Sequence, residues 1–175
     1  MSESTAPHVM TEDEAAEFAA QVFDVARTGD ADTLQKLLER GLPVNLRNQN
    51  GDTLLMLASY HGHLSAAETL LKAGADANIA NDKNQLPLAG AAFKGNLDMA
   101  RLLISHGAQV NGCAADGRTA LMMAAMFNRT DFVTYLLEQG ADLHARDIGG
   151  IDALGAARAM GAQATLAQLG DLASN

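Results

Sequence analysis

A unit that returns every 33 residues constrains this chain more than any other feature. Glycines stand at 41, 74, 107 and 140. Three of them close the same phrase: Leu70-Leu71-Lys72-Ala73-Gly74-Ala75, Leu103-Ile104-Ser105-His106-Gly107-Ala108 and Leu136-Leu137-Glu138-Gln139-Gly140-Ala141. A fixed period of this length specifies stacked supersecondary units, because one such unit cannot bury its apolar face alone. Function is thereby directed to an extended surface more than to a closed catalytic pocket.

Other columns keep the same register. Leu55, Leu88, Leu121 and Leu154 align, as do Ala58, Ala91, Ala124 and Ala157. Each unit carries two short helical patterns. The first spans about 53–60, 86–93, 119–126 and 152–159, and the second about 64–73, 97–106 and 130–139. Leu97, Ala100, Leu103 and Ile104 fall at i, i+3, i+6 and i+7, which makes one apolar stripe. Gly62, Gly95 and Asn128 separate the paired helices, where left-handed backbone is open to Gly and tolerated by Asn. Thr53 and Thr119 precede first helices, where a hydroxyl can accept from free backbone N–H groups. Thr11-Glu12-Asp13-Glu14 reads as a capping box ahead of Phe18, Val22 and Phe23.

These landmarks resemble the ankyrin-repeat family, whose unit is a turn–helix–loop–helix of the same period. Asn50-Gly51-Asp52-Thr53-Leu54-Leu55-Met56-Leu57-Ala58 and Asp116-Gly117-Arg118-Thr119-Ala120-Leu121-Met122-Met123-Ala124-Ala125 match its opening, and Leu70 to Asn78 its close. The resemblance implies an all-α solenoid of helix–loop–helix units joined by hairpin-like loops. It is read as one domain over 11–172, preceded by a disordered segment 1–10. Three full repeats, 48–80, 81–113 and 114–146, lie between diverged end units at 14–47 and 147–172.

The departures from the family pattern are specific. Met56, Ala89 and Met122 replace the histidine that links neighbouring units in the family, so apolar stacking is expected there. The middle repeat, Asn84-Gln85-Leu86-Pro87-Leu88-Ala89-Gly90, loses the threonine cap and places Gly90 inside a helix, at a cost of about 1 kcal/mol relative to Ala. Pro87 suits a first helical turn, where its missing N–H is not needed. The middle repeat is therefore expected to be the weakest by itself.

Charge and composition narrow the function. The chain has 21 acidic and 12 basic side chains and a formal net charge of −9. That balance argues against non-specific binding to nucleic acid or to an anionic membrane surface. No apolar run approaches the ~18 residues of a membrane span. The opening residues lack the basic and apolar regions of a secretory signal. Cys113 is the sole cysteine, so no intrachain disulfide can form, and a cytoplasmic monomer is expected.

Catalytic signatures are missing: there is no phosphate-cradling loop and no nucleophile elbow. Cys113 has no evident base beside it in the sequence. His61 and His63 flank Gly62 and could in principle ligate a metal, but a Gly-His pair opening the second helix explains them structurally. No metal site and no cofactor are expected. His106 sits at a helix C-terminus, where an imidazolium would meet the dipole favourably. Met56, Met122 and Met123 are either core filling or an adaptable contact surface.

The resemblance implies that turn tips and the exposed face of each first helix form a binding surface. Its positions are Gln49, Asn50, Asp52, Tyr60 and His61 in the first full repeat, and Asp82, Lys83, Gln85, Phe93 and Lys94 in the second. The third supplies Ala115, Asp116, Arg118, Met126 and Phe127. Tyr60 and Phe93 are one period apart, and Phe127 falls one residue past the next step. They are either an anchoring stripe with a polar rim or rings packed against adjacent loops. The leading expectation is a non-enzymatic module that binds a protein partner. The alternatives are an accessory subunit of an enzyme complex or a regulator responding to a metal or small molecule.

Overall fold

The computed structural model describes residues 10–173, in which ten helices alternate with loops and no strand forms. The segment expected to be disordered lies outside these residues, apart from the exposed Met10. The helices are α1 (Glu12–Thr28), α2 (Ala31–Glu39), α3 (Leu54–Tyr60), α4 (Leu64–Lys72), α5 (Pro87–Lys94), α6 (Leu97–Ser105), α7 (Ala120–Met126), α8 (Thr130–Glu138), α9 (Ala153–Met160) and α10 (Gln163–Ala173). They form two rows. The inner row runs α1, α3, α5, α7, α9, and each member packs on the next. In the outer row α2 packs on α4, α4 on α6, and α8 on α10. The chain is thus an all-α solenoid.

Local sequence explains the helix ends. Thr53 and Thr119 accept from the backbone N–H of Met56 and Met122 at 3.0 and 3.3 Å. Each helix therefore begins one residue after its threonine, in the half-in position of an N-cap. The Thr11–Glu14 capping box forms in both directions at 3.2 and 2.8 Å. Behind it Val22 and Phe23 are buried, whereas Phe18 faces outward. Asn128 takes the left-handed conformation of its column (φ 59°), as Gly62 and Gly95 do. α5 has no side-chain cap: Leu86 holds the N-cap position and Pro87 opens the helix.

The core is one continuous strip of leucine, alanine and methionine. Leu34, Leu70, Leu103 and Leu136 are fully buried in the outer row, and Leu55, Leu88 and Leu121 in the inner row are at most 4% exposed. Small alanines such as Ala58, Ala91 and Ala124, each at 0%, let helices of one row approach closely. Burying such side chains supplies most of the stability of short helices that would be marginal alone. Met56 and Met122, at the column where the family carries histidine, are buried at 3% and 2%, so apolar packing does replace a polar link there.

Polar ladders join the repeats where the chain turns. Asn45, Asn78 and Asn111 accept from the backbone N–H of Asp76, Gln109 and Asp142 at 2.7–2.9 Å. Asn78 and Asn111 also donate to the carbonyls of Gly107 and Gly140. At the turn tips Asp82 N donates to Asn50 O and Ile148 N to Asp116 O, both at 3.0 Å. The step between them, from residue 115 to residue 83, carries no such bond among the described residues. The tips of the middle and third repeats are therefore not tied to each other.

Candidate functional site

That missing tie lies over the largest aromatic cluster in the chain. The sequence contains two tyrosines and five phenylalanines, and three of these rings meet in one row on the inner helices. Tyr60 ends α3, Phe93 lies in the last turn of α5, and Phe127 is the C-cap of α7. Tyr60 and Phe93 are nearly parallel (6°) with centroids 6.5 Å apart. Phe93 and Phe127 meet edge to face at 4.7 Å. Both arrangements suit the ring quadrupoles. All three rings are half-buried, so each packs on its neighbours and still presents part of its surface to solvent.

The row lines a groove of about 260 Å³. Its walls are Tyr60, Phe93 and Phe127, with Met56 and Met123 between them. Its floor is Ala89 and Gly90, and its rim is Lys83, Gln85, Asp116 and Arg118. The helix geometry explains the floor: residues 89 and 90 lie one turn before Phe93 and Lys94 and share their face. Where the flanking repeats place Met56 and Met122, the middle one has only a methyl group. A second hollow of about 320 Å³ continues past Tyr60, lined by polar groups from Asn48, Asn50, Asp52, Asn81 and His61, and by Arg27.

The rim charges are not equivalent. Asp52 is committed to the fold, accepting from Asn81 at 2.8 Å and Asn48 at 3.3 Å. Asp116 accepts from the backbone N–H of Arg118 at 3.0 Å. Asp82 lies 3.3 Å from Arg47. Arg118 reaches Asp116 and Asp147 only at 3.9 Å. The Lys94 ammonium sits over the Tyr60 ring, 4.5 Å from its centroid, a cation–π contact that fixes its position without neutralising it. Lys83 and Lys94 have no ion-pair partner among the described residues.

His63 and His61 divide their roles. The Nε2 of His63 lies 2.8 Å from the Arg27 carbonyl, which ties α4 to the preceding unit. Arg129, two periods on, donates to the Phe93 carbonyl in the same way at 3.2 Å. His61 is exposed, edge-on to Tyr60, and its pKa is lowered, first by partial desolvation and then by His63, Arg27 and Lys94. No group of three or more His, Cys, Asp or Glu among the described residues could hold a metal ion. His106 meets the Leu102 carbonyl at 3.0 Å at the end of α6.

The structure brings together Tyr60, Lys83, Gln85, Phe93, Asp116, Arg118 and Phe127 in the first groove and Asn50, Asp52 and His61 in its extension. Lys94 overhangs both through Tyr60. Gln49 and Asp82 are exposed on the turn tips, outside the walls of either hollow, and Met126 is half-buried against the core. Ala89 and Gly90 are not among the expected contact residues, whereas Met56 and Met123 are the methionines for which the sequence leaves core filling and contact surface both open. The available signal was Gly90 itself: a glycine in a helix interior marks weakness, but it also marks space.

A family model for ankyrin repeats in three copies matches residues 22–112 and 62–147. A protein of Pseudomonas aeruginosa named for its ankyrin repeats is 54% identical over 63 residues, which is 36% of this chain. The match spans 36% of that protein, about a third of its length. No helix among the described residues is long and apolar enough to cross a membrane.

Proposed function

Because the chain belongs to the ankyrin-repeat family, we propose that it is a non-enzymatic interaction module whose inner-row groove receives a segment of a partner protein. Ankyrin repeats generally mediate protein–protein interaction. The observation that carries the reading for this chain is the aromatic row Tyr60–Phe93–Phe127, half-buried and facing a groove left open between two untied turn tips. Rigid aromatic anchors within a polar rim concentrate binding energy, because they bury area with little loss of side-chain freedom. The stacked helices beneath hold these rings in place before a partner arrives.

The test is capture of partners on immobilised protein. The intact chain retains a partner, and the triple variant Tyr60→Ala, Phe93→Ala, Phe127→Ala loses it while circular dichroism shows the helices intact at the assay temperature. Retention of the same partner by that folded variant would place the contact on another face.

A further inference from the structure

We propose that the occupant of the groove is an acidic peptide segment carrying a large apolar or aromatic side chain. This rests on the reading of the groove as a partner-binding site and adds the chemistry of the partner. The chain is strongly acidic as a whole, yet at the groove cations outnumber carboxylates, with Lys83, Lys94 and Arg118 set against Asp116. Lys83 is exposed on the rim without an ion-pair partner among the described residues, and Lys94 is held over Tyr60. Arg118 reaches its two carboxylates only at 3.9 Å. The carboxylates nearest the groove keep their charge but are oriented by bonds of the fold, Asp52 by two asparagines and Asp116 by a backbone N–H. A partner that brought lysines would meet a rim on which cations predominate. One that brought glutamates or aspartates would meet two lysines without ion-pair partners among the described residues, and the loosely held Arg118, around an aromatic well.

The complement is local, which separates a peptide from a nucleic acid. A short acidic segment meets the rim cations at contact distance, within a Debye length of about 10 Å. A long polyanion would also run against the net negative surface beyond the groove. The space suits a side chain: Ala89 and Gly90 leave the floor low, and an added Cβ on Gly90 would lie 3.5 Å from the Tyr60 ring.

The experiment is fluorescence anisotropy of the full chain with four labelled probes at low salt. They are a peptide with a central Leu-Phe pair flanked by glutamates, its lysine-flanked counterpart, the glutamate peptide with Ala-Ala at the centre, and single-stranded oligo-dT of matched charge. The glutamate-flanked Leu-Phe peptide is expected to bind about tenfold or more tightly than the other three, and to weaken as salt rises. The double variant Lys83→Glu, Lys94→Glu, altered only at exposed positions, is expected to reverse the preference toward the lysine-flanked peptide. Equal or tighter binding of the lysine-flanked peptide by the natural chain would overturn the acidic assignment and leave the groove as a binding site. Preference for oligo-dT would overturn the peptide assignment. Absence of binding by every probe would also overturn this proposal, whereas the groove reading itself stands or falls on partner capture by the aromatic triple variant.

Discussion

The inner helix of the middle repeat and those of its two neighbours occupy equivalent places in the stack, yet they are built to different ends. α3 and α7 begin at capped threonines and fill their interior with Met56 and Met122. α5 begins at an uncapped leucine and carries Ala89 and Gly90 at its exposed face. The neighbours spend their side chains on packing, and the middle helix withholds them. The result is a hollow whose walls come largely from the flanks and whose floor comes from the centre. In a linear stack each unit is supported by the two beside it, so one unit can be locally poor without unfolding the array. A hollow can therefore open in the middle unit without loss of the stack.

This contrast can be broken from either side. The largest effect is expected from Met122→Ala, which empties a nearly fully buried site and should cost about 2–5 kcal/mol in chemical denaturation. The reciprocal change, Ala89→Met, gives the middle repeat the side chain of its neighbours and should leave the fold intact while filling the groove and abolishing partner capture. A folded Ala89→Met protein that still captures its partner would show that the low floor is not used.

Smaller effects follow the caps. Thr53→Ala and Thr119→Ala should each lower stability by about 1 kcal/mol, since each removes the acceptor for an otherwise free N–H. Gly90→Ala works in the opposite direction: helix propensity alone favours alanine by about 1 kcal/mol, and the new methyl meets only the Tyr60 ring at an ordinary contact distance. Its melting temperature should rise by about 2–4 °C while affinity for the partner falls. A lower melting temperature would show that the helix needs the empty space for its own packing.

The smallest effect concerns His61. Its pKa in the folded chain lies below the ordinary value of 6.5, chiefly through desolvation, then through His63, Arg27 and Lys94. The folded state therefore holds this proton less well than the unfolded chain. The contribution is fully present above pH 6.5 and is lost as pH falls through the lowered value. His61→Asn should flatten a slight decline in stability below that pH, read as the difference between two melting curves. An unchanged decline would assign it to other groups.

Much of the architecture was legible in the sequence because periodicity reports burial directly. The glycine and leucine columns, Thr53, Thr119, Asn128 and the Thr11–Glu14 box each act within a few residues, and the structure places each as its local chemistry requires. The groove was legible only in part. Tyr60, Phe93 and Phe127 were visible as a stripe, but whether they would be buried or open depended on contacts between repeats. The commitment of Asp52 to Asn81, 29 residues away, lies beyond any local pattern. So does the missing tie between the tips at 83 and 115, which belong to two different units. In the sequence Gly90 reads as a cost to helix stability, and the space it leaves shows only with the Tyr60 ring standing across from it.

Hydrogen exchange resolved along the chain, with and without a captured partner, tests the central claim most directly. In the free protein the amides of α5 should exchange faster than those of α3 and α7, because local opening follows local stability. On binding, the largest gain in protection should fall on residues 83–94 and extend to 56–61 and 116–127, with the outer helices α4, α6 and α8 little changed. Protection concentrated on the outer row, or spread evenly with α5 no different from its neighbours, would contradict the account.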